Sequence, residues 1–423
     1  MKVFKFGGAS VKDAAAVKNV ATILQKYQQE NLLVVVSAMG KMTNAHEKLL
    51  NSFFYQKESQ NEDFESIKKY HTDIIDELFR DKNHSVYTEF DNLISELKDY
   101  LEKGPSDNYD FEYGQIVPYG ELLSTLVVSS YLNMAGLDNK LFDARDLIIT
   151  NNHYRDAEVK WDITGQNIHD MVYPYLSAKQ KGKIAITQGF IGRTSDYHLT
   201  TLGREGSDYS AAIFAYTLDV EEVVIWKDVP GLLNADPKYF SDTKKLNSIS
   251  YTEAIELSYY GATVIHPKTI KPLENKNISL YVKSFLDYEN EGSVVHENTE
   301  NDSLIPSFIF KKEQVLLSIS PRDFSFICEK NLSYIFCVFA KAESKINLMQ
   351  NSAISFTVCL DFDEHSFSQL ITELQRDYRI TFNTGLELIT IRHYDAETIR
   401  KILKNKKVLL EQRSRVTAQF VVM

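Results

Sequence analysis

Leu32-Leu33-Val34-Val35-Val36, followed directly by Ser37-Ala38-Met39-Gly40-Lys41-Met42-Thr43-Asn44, is the stretch on which the fold turns. Five consecutive apolar residues leave no polar face, so a strand built from them is covered on both sides. Similar runs at Ile184 to Ile186, Val223 to Trp226 and Ile278 to Val282 alternate with helical patterns. That alternation predicts an α/β fold, a mostly parallel sheet sandwiched by helices. The small hydroxyl residues after Val36 then lie at a strand's carboxyl end, where open sheets bind ligands. Thr43 and Asn44 would equally serve as helix caps.

The chain has 423 residues, a length that suggests two or three domains. From 45 to 110 the character is polar and helical, with Leu93, Leu97 and Leu101 at helical spacing and Gly104-Pro105 as the stop. This reads as a helical insertion in a first domain spanning 1–295. Residues 289–302, rich in Glu, Asn, Gly and Ser, lack periodicity and mark the boundary, giving a linker at 296–310. Beyond it, strands at Gln314 to Ser320, Ala353 to Leu360, Leu386 to Ile391 and Thr417 to Val422 alternate with helices near 333–341, 367–375 and 397–404. Two small α+β modules over 311–423 are expected, the second cut short at Met423.

A net charge of −11 disfavours a nucleic-acid or anionic-membrane partner. Cys328, Cys337 and Cys359 have no metal-ligand spacing and read as reduced core thiols of a cytoplasmic protein. No run is long enough to span a bilayer, and the start of the chain passes from a strand pattern straight into glycines.

Four segments carry chemistry. In Lys5-Phe6-Gly7-Gly8-Ala9-Ser10, at a junction of strand and helix, Gly7 and Gly8 expose backbone N–H groups and Lys5 can neutralise phosphoryl charge. No Walker A pattern occurs, so a phosphate cradle here is of another design. The second segment is Ser37 to Asn44. In the third, Gly189 to Gly192 and Gly203-Arg204-Glu205-Gly206-Ser207-Asp208, Arg204 offers a planar fork for a carboxylate and Ser207-Asp208 open an alanine-rich helix. The fourth, Trp226-Lys227-Asp228-Val229-Pro230-Gly231-Leu232-Leu233-Asn234-Ala235-Asp236-Pro237, is a turn-rich loop after a buried strand that can wrap a nucleotide. Alone, the first reads equally as a tight turn with a solvated lysine, the third as a surface salt bridge on a glycine loop and the fourth as a turn.

In this order, with Gly120-Glu121-Leu122-Leu123-Ser124-Thr125, Phe142-Asp143-Ala144-Arg145 and Ile249 to Pro267, the segments resemble the aspartate kinases of the amino-acid kinase superfamily across about the first 290 residues. The resemblance implies that 1–295 has the amino-acid kinase fold and transfers the ATP γ-phosphate to the β-carboxylate of L-aspartate, opening lysine, threonine and methionine biosynthesis. It implies catalytic roles for Lys5, Asp208, Gly7 and Gly8, with Asp208 orienting Lys5 or the phosphoryl donor. Arg204 would take the substrate α-carboxylate and Glu121 its ammonium, supplemented by Thr43 and Ser207, with Ser37 near the reacting end. Lys5, Gly7, Gly8, Ser10, Lys227, Asp228, Gly231, Asn234, Asp236 and Pro237 would hold ATP. Mg²⁺ is expected on phosphate oxygens and water, with no protein ligand named.

The sequence departs from the family pattern at Lys227, Pro230, Leu233, Asn234 and Ala235, and carries Thr263 where relatives have a phosphate-contacting lysine. Lys227 is expected to replace that charge. Glu205, an acid beside an anionic substrate, is expected to face away. Residues 311–423 resemble paired ACT domains of ferredoxin-like type, which implies either a lysine or threonine effector or retention for dimerisation alone, with a homodimer expected in both cases. Their effector loop lacks glycine at Cys328 to Ser333, and Asn347 stands where an aspartate is common. Rival readings are a kinase for another small carboxylate and a catalytically weak ATP- and amino-acid-binding sensor. A fused homoserine dehydrogenase is not expected, since no GxGxxG fingerprint occurs.

Overall fold

The computed structural model describes residues 1–178, 180–240, 242–262, 265–323 and 325–423. Leu32–Val36 is a strand with all five residues buried. It pairs in parallel with Lys2–Phe6 on one side and Ile184–Gln188 on the other, and Glu222–Lys227 continues the sheet beyond Lys2–Phe6. The full order is Ser248–Ser250, Ser293–His296, Ser279–Ser284, Glu222–Lys227, Lys2–Phe6, Leu32–Val36, Ile184–Gln188, Asn139–Phe142. Ser293–His296 runs antiparallel to Ser279–Ser284. In the centre, Phe6 is level with both Val36 and Trp226, and Val36 is level with Gln188. Gly7, Ser37, Lys227 and Gly189 therefore emerge along one edge. Trp226, fully buried, stacks on Phe6 with centroids 6.0 Å apart and locks two of these strand ends together.

The helical stretch forms Met42–Phe54, Gln60–Leu78, Ser85–Leu101, Tyr109–Ile116 and Tyr119–Met134. Ile94, Leu97 and Leu101 bury one face, and the chain leaves the helix before Gly104 at φ +78°. Among the described residues no helix is long and apolar enough to cross a membrane.

The chain divides into two compact units. The first comprises Met1–Leu232, Lys245–Ile255 and Ile265–Thr299, the second Leu233–Lys244, Glu256–Val264 and Glu300–Met423. The second unit holds one six-stranded sheet in the order Ile346–Asn351, Phe356–Asp361, Ser307–Pro321, Tyr378–Arg392, Thr417–Val422, Val408–Arg413. Helices Glu329–Lys341, Glu364–Leu374 and Ala396–Ile402 accompany it. Ser307–Pro321 and Tyr378–Arg392 are 15-residue strands where the sequence suggested short ones, because register shifts around Lys311, Gln314 and Leu316 interrupt the alternation. Buried Gln314 fills that break, its amide donating to Asp361 Oδ1 at 2.7 Å. Both long strands pass through two cores, one around Leu317, Ile335 and Leu370 and one around Phe308, Ile391 and Phe420. The two halves thus share strands.

Candidate active site

At the carboxyl edge of the first unit's sheet lies a cavity of about 1060 Å³, whose lining includes Lys5, Gly8, Ser37, Thr43, Glu121, Arg204, Ser207, Asp208 and Lys227. Lys5 is the fourth residue of its strand and nearly buried, and its Nζ meets Asp208 Oδ1 at 2.6 Å. Lys227, the last residue of the adjacent strand, places Nζ 3.5 Å from Asp208 Oδ2. Burial pushes the Asp208 carboxyl up, but the two ammonium groups outweigh it and hold it below the usual carboxylate range. Burial opposes the charge on Lys227 as well, yet Asp208 and then Glu205 raise it above the usual lysine range. Two cations thus flank one buried carboxylate in the first turn of helix Gly206–Leu218.

The glycines bring backbone to backbone. A β-carbon on Gly8 would lie 2.6 Å from the Gly40 carbonyl oxygen and 2.9 Å from that of Ala38, while Gly40 N–H donates to Gly8 O at 2.9 Å. A β-carbon on Gly189 would lie 2.6 Å from Ser207 Cβ. The segment after Gly7 is a 3₁₀ turn, Gly8–Val11, and the α-helix starts only at Ala14, capped by Asp13. The amides facing the cavity therefore belong to a tight turn instead of the α-helix N-terminus anticipated there. Neither Thr43 nor Asn44 caps a helix: it begins at Met42, so Thr43 sits in its first turn and lines the cavity.

On the opposite wall Glu121 is buried. Its Oε1 accepts from the Ala38 amide at 3.2 Å, and its Oε2 has no hydrogen-bond partner among the described residues. Burial, against the Ala38 amide and the Lys5 charge, pushes the carboxyl up to about 8. Gly120 permits the close approach, since a β-carbon there would be 3.1 Å from Ala38 Cβ. Arg204 is exposed and has no ion-pair partner among the described residues. The cavity thus offers two cations around Asp208, a free guanidinium and an incompletely bonded carboxyl, a set suited to a ligand carrying phosphates, a carboxylate and an ammonium.

The profile described as the amino acid kinase family matches residues 1–284. The lysine-sensitive aspartokinase 3 of Escherichia coli is 30% identical over 397 residues, covering 92% of this chain and 86% of the relative. The chain belongs to the aspartokinases of the amino acid kinase family. A crystal structure of E. coli aspartokinase III in complex with aspartate and ADP superposes with a TM-score of 0.83 at 27% identity, covering 100% of this chain and 96% of that one. The bifunctional aspartokinase/homoserine dehydrogenase 2 of Arabidopsis thaliana is 33% identical over 317 residues, and the match spans 71% of this chain but 33% of that protein. The chain is accordingly an ATP-dependent kinase.

Within this aspartokinase the remaining sequence candidates separate. Ser10 is buried and its hydroxyl donates to Trp226 O at 3.2 Å, so it joins two strand ends instead of facing the cavity. Gly7 leads into the turn, Asp228 is exposed at the cavity's sheet edge, and Gly231 adopts φ +146° against Ser293. Asn234, Asp236 and Pro237 belong to the second unit. There Asn234 is buried, donating to Pro306 O at 2.8 Å and accepting from Lys244 N–H at 2.7 Å, while Asp236 caps the turn at Lys238. The amide of Asn234 is thus engaged in shaping its loop. Thr263 lies outside the described residues. Glu205 does not face away: it lines the cavity with Oε2 buried. Asp143 caps helix Ala144–Leu147 and pairs with Arg145 at 2.6 Å, a structural role for that motif.

Sequence reasoning missed Glu47, Tyr113 and Arg155, which also line the cavity. The Tyr113 hydroxyl donates to Glu47 Oε1 at 2.8 Å, and the Arg155 guanidinium lies 4.8 Å over the Tyr113 ring. A signal existed for Glu47, which stands one helical turn beyond Thr43.

Proposed function

We propose that this aspartokinase transfers the γ-phosphate of ATP to the β-carboxylate of L-aspartate, giving ADP and 4-phospho-L-aspartate, the entry to lysine, threonine and methionine biosynthesis in the cytoplasm. The observation that carries the reading is the single cavity in which the Lys5–Asp208–Lys227 cluster faces Glu121 and Arg204. Arg204 takes the α-carboxylate and Glu121 Oε2 the ammonium, leaving the β-carboxylate toward Ser37 and Lys5. A carboxylate oxygen attacks Pγ, the bond from Pγ to the bridging oxygen breaks, and the electron pair leaves with ADP. The nucleophile is already an anion, so no general base is required; the chain's task is to align two anions and offset their repulsion. Lys5, Lys227 and the Gly7-Gly8 backbone do this, with Asp208 keeping both lysines in place.

Among the described residues no three His, Cys, Asp or Glu side chains gather as a metal cage, and Asp208 is engaged by two lysines. Mg²⁺ is therefore proposed only as an ion carried on the nucleotide's phosphates and water, and no step is derived through it. The second unit is proposed to act as paired ACT modules that bind lysine or threonine or that form a homodimer. The lysine-sensitive relative supports the effector reading. Against it, Asn347 is held by Lys311, Gln314 and Asp361, which leaves its amide little for a ligand.

Trapping the acyl phosphate with hydroxylamine tests the activity. Hydroxamate is expected with L-aspartate and ATP and not with L-glutamate or N-acetylglutamate; acceptor-independent ATP turnover alone would overturn it.

A further inference from the structure

Glu205 adopts a left-handed backbone, φ 54° and ψ 28°, immediately before helix Gly206–Leu218. A residue with a β-carbon in this conformation costs on the order of 1 kcal/mol relative to glycine. Its side chain makes no capping bond to the helix it precedes, so nothing local offsets that cost. Instead the residue lines the catalytic cavity, with Oε2 buried and without a hydrogen-bond partner among the described residues.

The charges in the cavity give this placement a purpose. Lys5 and Lys227 converge on the two oxygens of Asp208, at 2.6 and 3.5 Å. One buried carboxylate carries a single charge against the two ammonium groups of buried Lys5 and part-buried Lys227, and both compete for it. Glu205 follows Asp208 as the charge acting most strongly on Lys227. Glu205 brings the set of Lys5, Lys227, Asp208 and Glu205 to neutrality, acting on Lys227 through charge across the cavity while Asp208 makes the direct ion pair.

We propose that Glu205 is a positioning residue: it shares Lys227 with Asp208 and holds that ammonium over the cavity, where it meets the phosphates of the nucleotide. The inference rests on the nucleotide clamp through Lys227 proposed above. It makes the Glu205–Lys227 pair one device, an acid added so that a lysine can stand at the end of the strand Glu222–Lys227 without disturbing Lys5.

The test is a double-mutant cycle on the full chain, reading KM for ATP, KM for aspartate and kcat, together with calorimetric Kd for a non-hydrolysable ATP analogue. Glu205→Gln is expected to weaken ATP roughly tenfold, the scale for losing one member of a partly buried charge pair, with aspartate KM unchanged. In a Lys227→Met background the same substitution should add nothing. Glu205→Gly, which removes the left-handed strain, should raise Tm while still weakening ATP, so loss of fold and loss of function move in opposite directions. An undiminished Glu205→Gln effect in the Lys227→Met background, or a rise in aspartate KM instead, overturns the assignment. If Lys227→Met weakens ATP and Glu205→Gln does not, the Glu205 assignment alone fails; if Lys227→Met leaves ATP binding unchanged, the clamp itself fails.

Discussion

Glu121 concentrates the substrate chemistry of the site in one titration. Without substrate its carboxyl is pushed up to about 8 by burial, despite the Ala38 amide and Lys5, so at pH 7 the free enzyme holds it largely protonated. An ammonium group delivered to Oε2 favours the charged form. Aspartate binding at pH 7 is therefore expected to release up to about one proton, a release that fades by pH 9, where the group is already ionised. Calorimetry in two buffers of different ionisation enthalpy reads this directly, and Glu121→Gln should abolish the release while weakening aspartate. The sign for stability follows from the same shift. Between the ordinary carboxyl range and about 8 the folded chain binds more protons than the unfolded one, so this contribution is full at low pH and lost as pH rises through 8. Glu121→Gln should flatten that slope. Buffer-independent heats of aspartate binding would show that the substrate ammonium does not meet Glu121.

At the scale of elements, the site exists because two strand-end loops touch. Gly8→Ala would drive a β-carbon into two carbonyl oxygens, Gly40 and Ala38, and only backbone movement relieves that. We expect a loss of roughly 1–3 kcal/mol in stability and a kcat fall of more than about tenfold, since misplacing aligned groups by a fraction of an ångström is costly. Gly104→Ala is the control: its φ of +78° carries a strain cost, but nothing lies within 4 Å, so kcat should hold while Tm drops slightly. Equal activity in the two variants would mean that the loops tolerate separation. This dependence on strand ends also explains what could be read in advance. Lys5, Ser37 and Lys227 follow from their places in buried parallel strands, where chain position alone puts a side chain near the carboxyl edge. Glu47 and Tyr113 arrive from helices whose rotation is decided by packing, which a single sequence does not state. The strands Ile346–Asn351 and Val408–Arg413 escaped because their mixed, half-exposed residues, such as Asn347 and Gln412, show no clean alternation. The long strand Ser307–Pro321 was read only from Gln314 onward, since Lys311-Lys312-Glu313 resembles a turn until the register shift is seen.

For the whole molecule, the order of the chain and the order of the units differ. Every residue named in the cavity comes from the first unit, as a boundary near residue 296 would have it. Yet the second unit is assembled from three pieces, and two of them, 233–244 and 256–264, leave and re-enter the first unit's sequence. Several of their partners lie beyond residue 300. Phe308 N–H donates to Asn234 O at 2.7 Å, Phe240 stacks on Phe308 with centroids 4.8 Å apart, and Glu256 pairs with Arg392 at 3.0 Å. Deleting 300–423 would keep the cavity's side chains but strip those contacts, leaving the Asn234 amide without Pro306 and the Phe240 ring without cover. A truncated chain ending at 299 is thus expected to be cut by a low-specificity protease within 233–264 at least about tenfold faster than the full chain, because local opening there breaks fewer native contacts. Adding a non-hydrolysable ATP analogue and aspartate should protect the rest of the truncated chain without restoring those two segments. Equal cleavage of truncated and full chains would show that 233–244 and 256–264 are held by the first unit, and that a cut at 299 is a true domain boundary.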